Sequence, residues 1–210
     1  MGIICLIVSC SPNPTDLTSE QIAQNCQNYH DSKDSWYGQN VEIEITSQSV
    51  FSDNNEEIIQ LKMDNASNVF VYNNLFRKVH LEYSPDGCVD HSEGSNCDSY
   101  QWTYNFYPFI WGMASKFFDP GVKIQEEFEE ETIKEKPVYV IHINYEAENY
   151  EFYINRENFY LEGFKFVKND GSGGEIVFNE GSREVNGLIM PTKKIWYDLE
   201  MNLLGTDILN

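Results

Sequence analysis

The chain has 210 residues, of which 41% are hydrophobic and 14% aromatic, and 14 basic against 34 acidic residues give a formal net charge of −20. This length fits one domain, because neither the glycines nor the prolines cluster into a linker. The acidic excess argues against nucleic acid as a partner, since such binding depends on lysine and arginine releasing counterions. It also argues against docking on anionic lipid through a basic face.

The N-terminal sequence MGIICLIVSCSPNPTD is typical of a bacterial lipoprotein. An apolar run over residues 3–8 leads into Ile-Val-Ser-Cys, which matches a lipobox ending at Cys10. The match predicts a truncated signal peptide over 1–9, lipidation (palmitate) of Cys10, a polar tether over 10–18 and one domain over 19–210. The basic start of a signal peptide is missing, so we expect an upstream start codon. A leader with an incidental cysteine is the alternative.

One helix is predicted directly after the tether. Thr18 and Gln21 have the spacing of a capping box, and apolar residues then recur at helical spacing over 18–30. Cys26 lies on that apolar stripe, which predicts a buried and inert thiol. His30 and Asp31 end the helix, where a histidine beside the negative pole is routine. The alternative makes them metal ligands of an enzyme.

From Val41 onward the pattern alternates with a period of two, which predicts strands. Turn signals separate the runs, and no alternation of strands with helices appears, so the sheet should be antiparallel. About ten strands, with one helix ahead of them, indicate a sheet curled around an apolar interior. The predicted turns are at Asn73-Asn74, 134–137, 169–174 and 186–187.

Cys88 and Cys97 bracket a polar loop. An exported protein meets an oxidising compartment, so this pair predicts a disulfide. The alternative is a metal site that uses both thiols and His91, although it lacks a fourth ligand and a C-x-x-C knuckle.

Residues 99–121 contain nine aromatic side chains. Only residues 106–113 approach a purely apolar run. This run is too short to span a bilayer, and Pro108 is expected to interrupt a helix there. Helical spacing gives two apolar rows, so that one row faces the sheet and the other either closes a packed barrel or lines an open one. The first row is Tyr100, Tyr104, Tyr107 and Trp111, and the second is Trp102, Phe106, Phe109 and Met113.

This aromatic segment is the candidate ligand-binding site, because ligand cavities are apolar with few polar groups. The chain contains no hydrolase, metalloprotease, phosphate-binding or dinucleotide motif, and its four histidines include no pair at ligand spacing. We therefore predict no catalytic residues, no metal and no cofactor. The candidate ligand-binding residues are Trp102, Tyr104, Phe106, Phe109, Trp111, Met113, Phe117 and Phe118.

Five motifs resemble a family of Bacteroidota envelope lipoproteins that contains a domain of unknown function. They are YHDSKDSWYGQNVEIEI, WGMASKFFDPGVKI, PVYVIHINYE, VNGLIMPTKKIWYD and the terminal LGTDIL, and the resemblance covers about residues 21–209. The resemblance implies a fold similar to the lipoprotein-localisation carriers LolA and LolB. That fold is mainly β, a strongly curved antiparallel half-barrel with helices on its concave side. The chain departs from the family at Ala114-Ser115, where a proline is usual.

The resemblance implies a non-catalytic envelope lipoprotein, not an enzyme, that binds a hydrophobic small molecule, acyl chain, lipid or lipoprotein. A monomer is expected, held at the membrane by its N-terminal lipid anchor. Ser11 follows Cys10 without an acidic run, which indicates the outer membrane, facing the periplasm. Two alternatives stay open: an adaptor lipoprotein with a filled barrel and a protein partner, and a hydrolase or metal enzyme that uses His30 and Asp31.

Overall fold

A computed structural model of the chain describes residues 17–51, 56–92, 96–145 and 148–210. The predicted signal peptide, the predicted lipidation site Cys10 and most of the predicted tether lie outside these residues.

Two α-helices and two short 3₁₀ helices occur in the described part of the chain. Helix α1 covers Ser19–His30, and the reciprocal hydrogen bonds of Thr18 and Gln21 confirm the predicted capping box. Cys26 is fully buried, as predicted. Helix α2 covers Cys97–Gly112, and the 3₁₀ helices cover Trp36–Gly38 and Met113–Lys116.

The strands form a curved antiparallel sheet of twelve and a separate pair. About ten were predicted; the long run after residue 174 is divided into five short strands. The strands are β1 Asn40–Ser49, β2 Glu56–Asp64, β3 Val69–Asn74, β4 Val79–Ser84, β5 Gly87–Asp90, β6 Lys123–Ile133, β7 Lys136–Asn144, β8 Glu148–Asn155, β9 Leu161–Lys168, β10 Gly174–Glu180, β11 Arg183–Val185, β12 Leu188–Met190, β13 Lys193–Asp198 and β14 Leu203–Leu209.

The sheet joins the two ends of the domain. Its order is β5-β4-β3-β2-β1-β14-β13-β10-β9-β8-β7-β6, so that the last strand pairs with the first, Ile45 opposite Leu209. Strands β11 and β12 form the separate pair. One half of the sheet therefore comes from strands before α2, with β14 beside them, and the other half from strands after α2.

The predicted turn at Asn73-Asn74 is wrong by two residues. Both asparagines lie in β3, and the turn follows over residues 75–78. Asn74 Oδ1 accepts a hydrogen bond from the backbone N–H of Arg77 at 2.9 Å. Asn74 therefore stabilises the turn from the end of β3 and is not itself a turn residue. The predicted turns near 134–137, 169–174 and 186–187 are confirmed.

Helix α2 lies against both halves of the sheet, each through one of its predicted rows. Tyr107 and Trp111 of the first row pack in a buried cluster with side chains of β1–β4. Met113 of the second row is buried in another cluster with side chains of β7–β10. The helix continues through Pro108, which the sequence predicts as an interruption. No described helix is long and apolar enough to cross a bilayer, as expected for this segment.

The end of α2 requires a glycine. A Cβ built on Gly112 lies 2.3 Å from Cζ2 of the buried Trp36. No real Cβ contact is that short, so only glycine lets the indole ring lie directly on the helix backbone. This contact fixes the position of α2 over the sheet.

The predicted disulfide is confirmed. Cys88 in β5 is bonded to Cys97, the first residue of α2, and this excludes the alternative metal site with two free thiols. The bond ties the start of α2 to the edge of the sheet.

Reduction of the disulfide should weaken the fold. The two cysteines are nine residues apart, and a loop of this size corresponds to about 2–3 kcal/mol of unfolding free energy in the chain-entropy account. Urea titrations with and without reductant measure the loss, and a Cys88→Ser and Cys97→Ser double variant should match the reduced protein. Equal midpoints for oxidised and reduced protein would contradict a structural role.

Candidate ligand-binding cleft

An open cleft of about 970 Å³ lies between α2 and the strands that follow it. Trp102, Phe106 and Phe109 of the second helix row form one wall. The opposite wall comes from the ends of β7, β8 and β9 and from the residue before β6, and its apolar members are Val122, Tyr145, Tyr150 and Phe166.

The two walls are connected by aromatic contacts. The ring of Phe109 lies edge-on to Tyr145 and to Tyr150, with centroids 5.1 and 5.5 Å apart, and Tyr150 stacks on Phe166 at 5.5 Å. Trp102 is 53% exposed at the helix side of the cleft. Edge-to-face and stacked rings at these distances are favourable, so the walls are held in place without a ligand.

The carboxylates of the cleft are already bound by neighbouring groups. Tyr150 donates its hydroxyl to Glu148 at 2.6 Å, and burial, followed by that carboxylate, raises the pKa of the phenol far above its usual range. Asp119 accepts from the hydroxyl of Tyr37 and lies 3.7 Å from Lys116 Nζ. The lining also includes the polar side chains of Asn105, Lys123 and Asn144, so the cleft combines aromatic walls with a few polar groups, as in sites for hydrophobic ligands.

The structure separates the eight predicted ligand-binding residues. Trp102, Phe106 and Phe109 meet in the cleft. The remaining five do not line it. Tyr104 borders a smaller pocket beside Trp36, Trp111 and Met113 are buried on the concave face, Phe117 is completely buried, and Phe118 is exposed on another side of the domain.

The strand wall was missed by the sequence reasoning. Tyr150 and Phe166 carry only the alternating pattern of ordinary core positions. Their register places them opposite each other on β8 and β9. Alternation shows which residues of a strand face inward. It does not show which of these residues line the open cleft beside α2 and which pack in the core.

The sequence profile of a family of unknown function, DUF6503, matches residues 91–202, which is more than half of the chain. The chain belongs to the DUF6503 family. The matched region contains α2 and all the strands that line the cleft. No curated protein sequence matches the chain significantly.

The fold of this DUF6503 protein is similar to those of two solved structures. A LolA superfamily protein from Nitrosomonas europaea has a TM-score of 0.59 at 11% identity, with 92% of each chain covered. A putative outer membrane lipoprotein-sorting protein domain from Vibrio parahaemolyticus has a TM-score of 0.56 at 8% identity, with 94% of this chain and 92% of its own covered. At such identities the likeness shows the fold alone, and it confirms the predicted LolA-like architecture.

His30 of the DUF6503 protein has a structural role, as predicted. Its Nε2 accepts the backbone N–H of Leu161 at 3.0 Å, and its Nδ1 lies 2.6 Å from the carbonyl oxygen of Ile189. The proton therefore belongs on Nδ1, and the ring is neutral. Burial lowers the pKa of His30 to about 4. The ring connects α1 to β9 and β12.

Asp31 also binds the backbone and not a neighbouring histidine. Its carboxylate accepts the N–H groups of Ser35 and Trp36, each at 2.8 Å, and lies 3.3 Å from the hydroxyl of Ser115. These bonds hold the loop after α1 against the 3₁₀ helix that follows α2. The pair predicted as alternative metal ligands is thus used to connect elements of the fold.

Lys194 is the most deeply buried cation of the described residues, with 1% exposure. Its Nζ donates to Asn179 Oδ1 at 3.0 Å and lies 5.2 Å from the centre of the Trp111 ring. Burial lowers the pKa of this amine to about 7, and the nearby Asp207 opposes the effect. Lys194 lies behind α2 and does not line the open cleft.

His80 and His91 are neighbours in the fold, although they are far apart in the sequence. The β4–β5 hairpin places them side by side, with ring centroids 5.2 Å apart. In the described part of the chain, no third histidine, cysteine, aspartate or glutamate joins them in a group able to hold a metal ion.

Proposed function

We propose that this protein is a non-catalytic envelope lipoprotein that binds an acyl chain or a similar hydrophobic molecule in the cleft between α2 and β7–β9. The observation that carries the proposal is the open aromatic cleft of about 970 Å³. Its volume lies at the upper end of the range of small-molecule sites, about 300–1,000 Å³. Its walls are aromatic, and its carboxylates already have hydrogen-bond partners.

The proposal includes the predicted anchor. Lipidation at Cys10 would hold the domain, as a monomer, at the outer membrane facing the periplasm. The Vibrio parahaemolyticus domain, whose name refers to outer membrane lipoprotein sorting, supports an envelope location. A lipoprotein held in this way meets acyl chains at the membrane surface.

The test removes the helix wall of the cleft. A Trp102→Ala and Phe109→Ala double variant should bind a fluorescent long-chain fatty acid analogue about 30-fold more weakly, because two aromatic contacts together contribute about 2 kcal/mol. Fluorescence titration of the unlipidated full chain measures the affinity, and urea unfolding shows that the variant is folded.

Phe76→Ala provides the matched control. Phe76 is 52% exposed, like Trp102, but lies in the β3–β4 turn and outside the cleft. It should bind the analogue like the wild type. If both variants bind alike, or if the wild type binds no acyl probe, the proposed function is wrong.

An adaptor lipoprotein is the second candidate, because apolar side chains are exposed on three neighbouring hairpin turns. They are Val50 and Phe51, Leu75 and Phe76, and Leu199 and Met201. Exposed apolar patches mark surfaces that bind other molecules. A Phe51→Ala and Phe76→Ala double variant that loses binding to a protein partner, while the cleft variant keeps it, would favour this candidate.

A further inference from the structure

A second pocket, of about 420 Å³, opens on the other side of α2 next to β1–β3. We call it the polar pocket. Trp102 lines both the polar pocket and the cleft, so its exposed indole ring borders the two spaces. Six hydroxyl groups line the polar pocket, those of Ser47, Ser49, Ser99, Tyr72, Tyr100 and Tyr107.

The polar pocket also contains one ion pair. Arg77 binds Glu57 through two nitrogens, with Nη2 2.6 Å from Oε1 and Nε 2.9 Å from Oε2. Asn74, which is fully buried, donates to the same carboxylate at 2.7 Å and accepts the N–H of Arg77 at 2.9 Å. The pair is thus held in a fixed position, and its net charge is zero.

Several donors in the polar pocket are free to bind a ligand. Within the described residues, neither the hydroxyl of Tyr100 nor that of Ser99 takes part in a hydrogen bond, and Nη1 of Arg77 has no acceptor there. These groups project from two directions, the first turns of α2 and the β3–β4 turn. Convergent donors of this kind fix the orientation of a polar ligand group.

The charge of the protein decides between a neutral and an anionic group. The guanidinium of Arg77 is neutralised by Glu57, and the whole chain carries a net charge of −20. This field repels phosphates and carboxylates. Uncharged hydroxyl groups have no such penalty, and the exposed aromatic surface of Trp102 suits the apolar face of a sugar ring.

We infer that the ligand is an amphiphile whose tail lies in the cleft and whose neutral, hydroxylated headgroup, such as a sugar, lies in the polar pocket across Trp102. This inference rests on the proposed function, because the tail site is the cleft. The half-barrel would then sort its ligand by polarity, with an apolar site on one side of α2 and a hydroxyl-binding site on the other.

The test compares ligands that share one tail. The unlipidated full chain is titrated by calorimetry with octyl glucoside, 1-octanol, octyl phosphate and octanoate, below the concentrations at which micelles form. Octyl glucoside should bind about tenfold more tightly than 1-octanol, since its headgroup gains one or two net hydrogen bonds. Octyl phosphate and octanoate should bind more weakly than octyl glucoside, because the acidic protein repels anions. Tyr100→Phe, which removes only a hydroxyl, should lower the octyl glucoside affinity about threefold to tenfold and leave 1-octanol unchanged.

Tyr104→Phe is the matched control, one turn further along α2 and outside the polar pocket. It should bind octyl glucoside like the wild type. If octyl glucoside binds no better than 1-octanol, or if Tyr100→Phe has no effect, the headgroup inference is overturned and the proposed function stands. Tightest binding of octyl phosphate overturns the neutral headgroup. If none of the four binds, the proposed function itself fails.

Discussion

Phe117→Ala should lower the free energy of unfolding by about 3–5 kcal/mol, the range for truncating a fully buried phenylalanine. The side chain has no exposed surface and packs on Phe152, with ring centroids 4.7 Å apart. Its removal leaves a cavity among the strands of the concave face, and packed side chains relax only partly into such a space. Urea denaturation followed by circular dichroism measures the loss.

The next residue in the chain supplies the control. Phe118 was predicted as a ligand contact together with Phe117, but it is 39% exposed, whereas Phe117 has no exposed surface. Phe118→Ala should therefore change stability by less than about 1 kcal/mol. Phe117→Leu, which keeps most of the volume, should lie between the two. Similar losses for Phe117→Ala and Phe118→Ala would contradict the packing described here.

Acidification should destabilise the protein through His30. Its pKa is about 4 in the folded protein and 6.5 for an ordinary histidine, so the folded state binds this proton less readily than the unfolded chain. The contribution of His30 is complete above pH 6.5 and is lost as the pH falls from 6.5 to about 4. The loss over this range is about 3 kcal/mol.

The variant His30→Asn isolates this effect. Asparagine can still donate to the carbonyl of Ile189 but cannot be protonated. The variant should be less stable than the wild type at pH 7, because it cannot accept from Leu161 N–H. The difference should shrink as the pH approaches 4. Carboxylates titrate in both proteins and cancel in the comparison.

The buried amine of Lys194 does not produce the same loss of stability between pH 4 and 6.5. Lys194 has a pKa of about 7 in the folded state against an ordinary 10.5, so its contribution is lost as the pH falls from 10.5 to 7 and is constant below that. The difference in stability between wild type and His30→Asn, measured by urea titration between pH 4 and 7, therefore reports on His30. A constant difference between wild type and His30→Asn would show that the ring is protonated equally in both states.

The sequence was most informative where the physical cause is local. The capping box at Thr18 and Gln21 depends on neighbouring backbone N–H groups, and it is present as predicted. The disulfide between Cys88 and Cys97 spans only nine residues, and the alternation after Val41 reports directly which face of β1 is buried. The alternation predicted a curled antiparallel sheet, and the resemblance to the family implied the LolA-like fold.

The two helix rows were predicted correctly, but their partners were not. Helical spacing places Trp111 and Met113, the first residue after α2, on different sides of the helix axis, and both sides pack on the sheet because its two halves curve around the helix. The open surface is therefore not one complete row but the part of the second row at Trp102, Phe106 and Phe109. Hydrophobicity alone does not distinguish an exposed ring on a cleft wall from the buried Phe117.

By itself, the sequence determined the fold class, the first helix, the disulfide and the apolar character of the aromatic segment. Each depends on residues close together in the chain or on a simple repeat. The tertiary structure alone decided which aromatic side chains meet Tyr150 and Phe166 to form the cleft, and which lie in the core. It also placed hydroxyl groups of β1, β3 and α2 around one polar pocket beside Trp102. These arrangements depend on the curvature of the sheet and on contacts between distant strands, which no local pattern encodes.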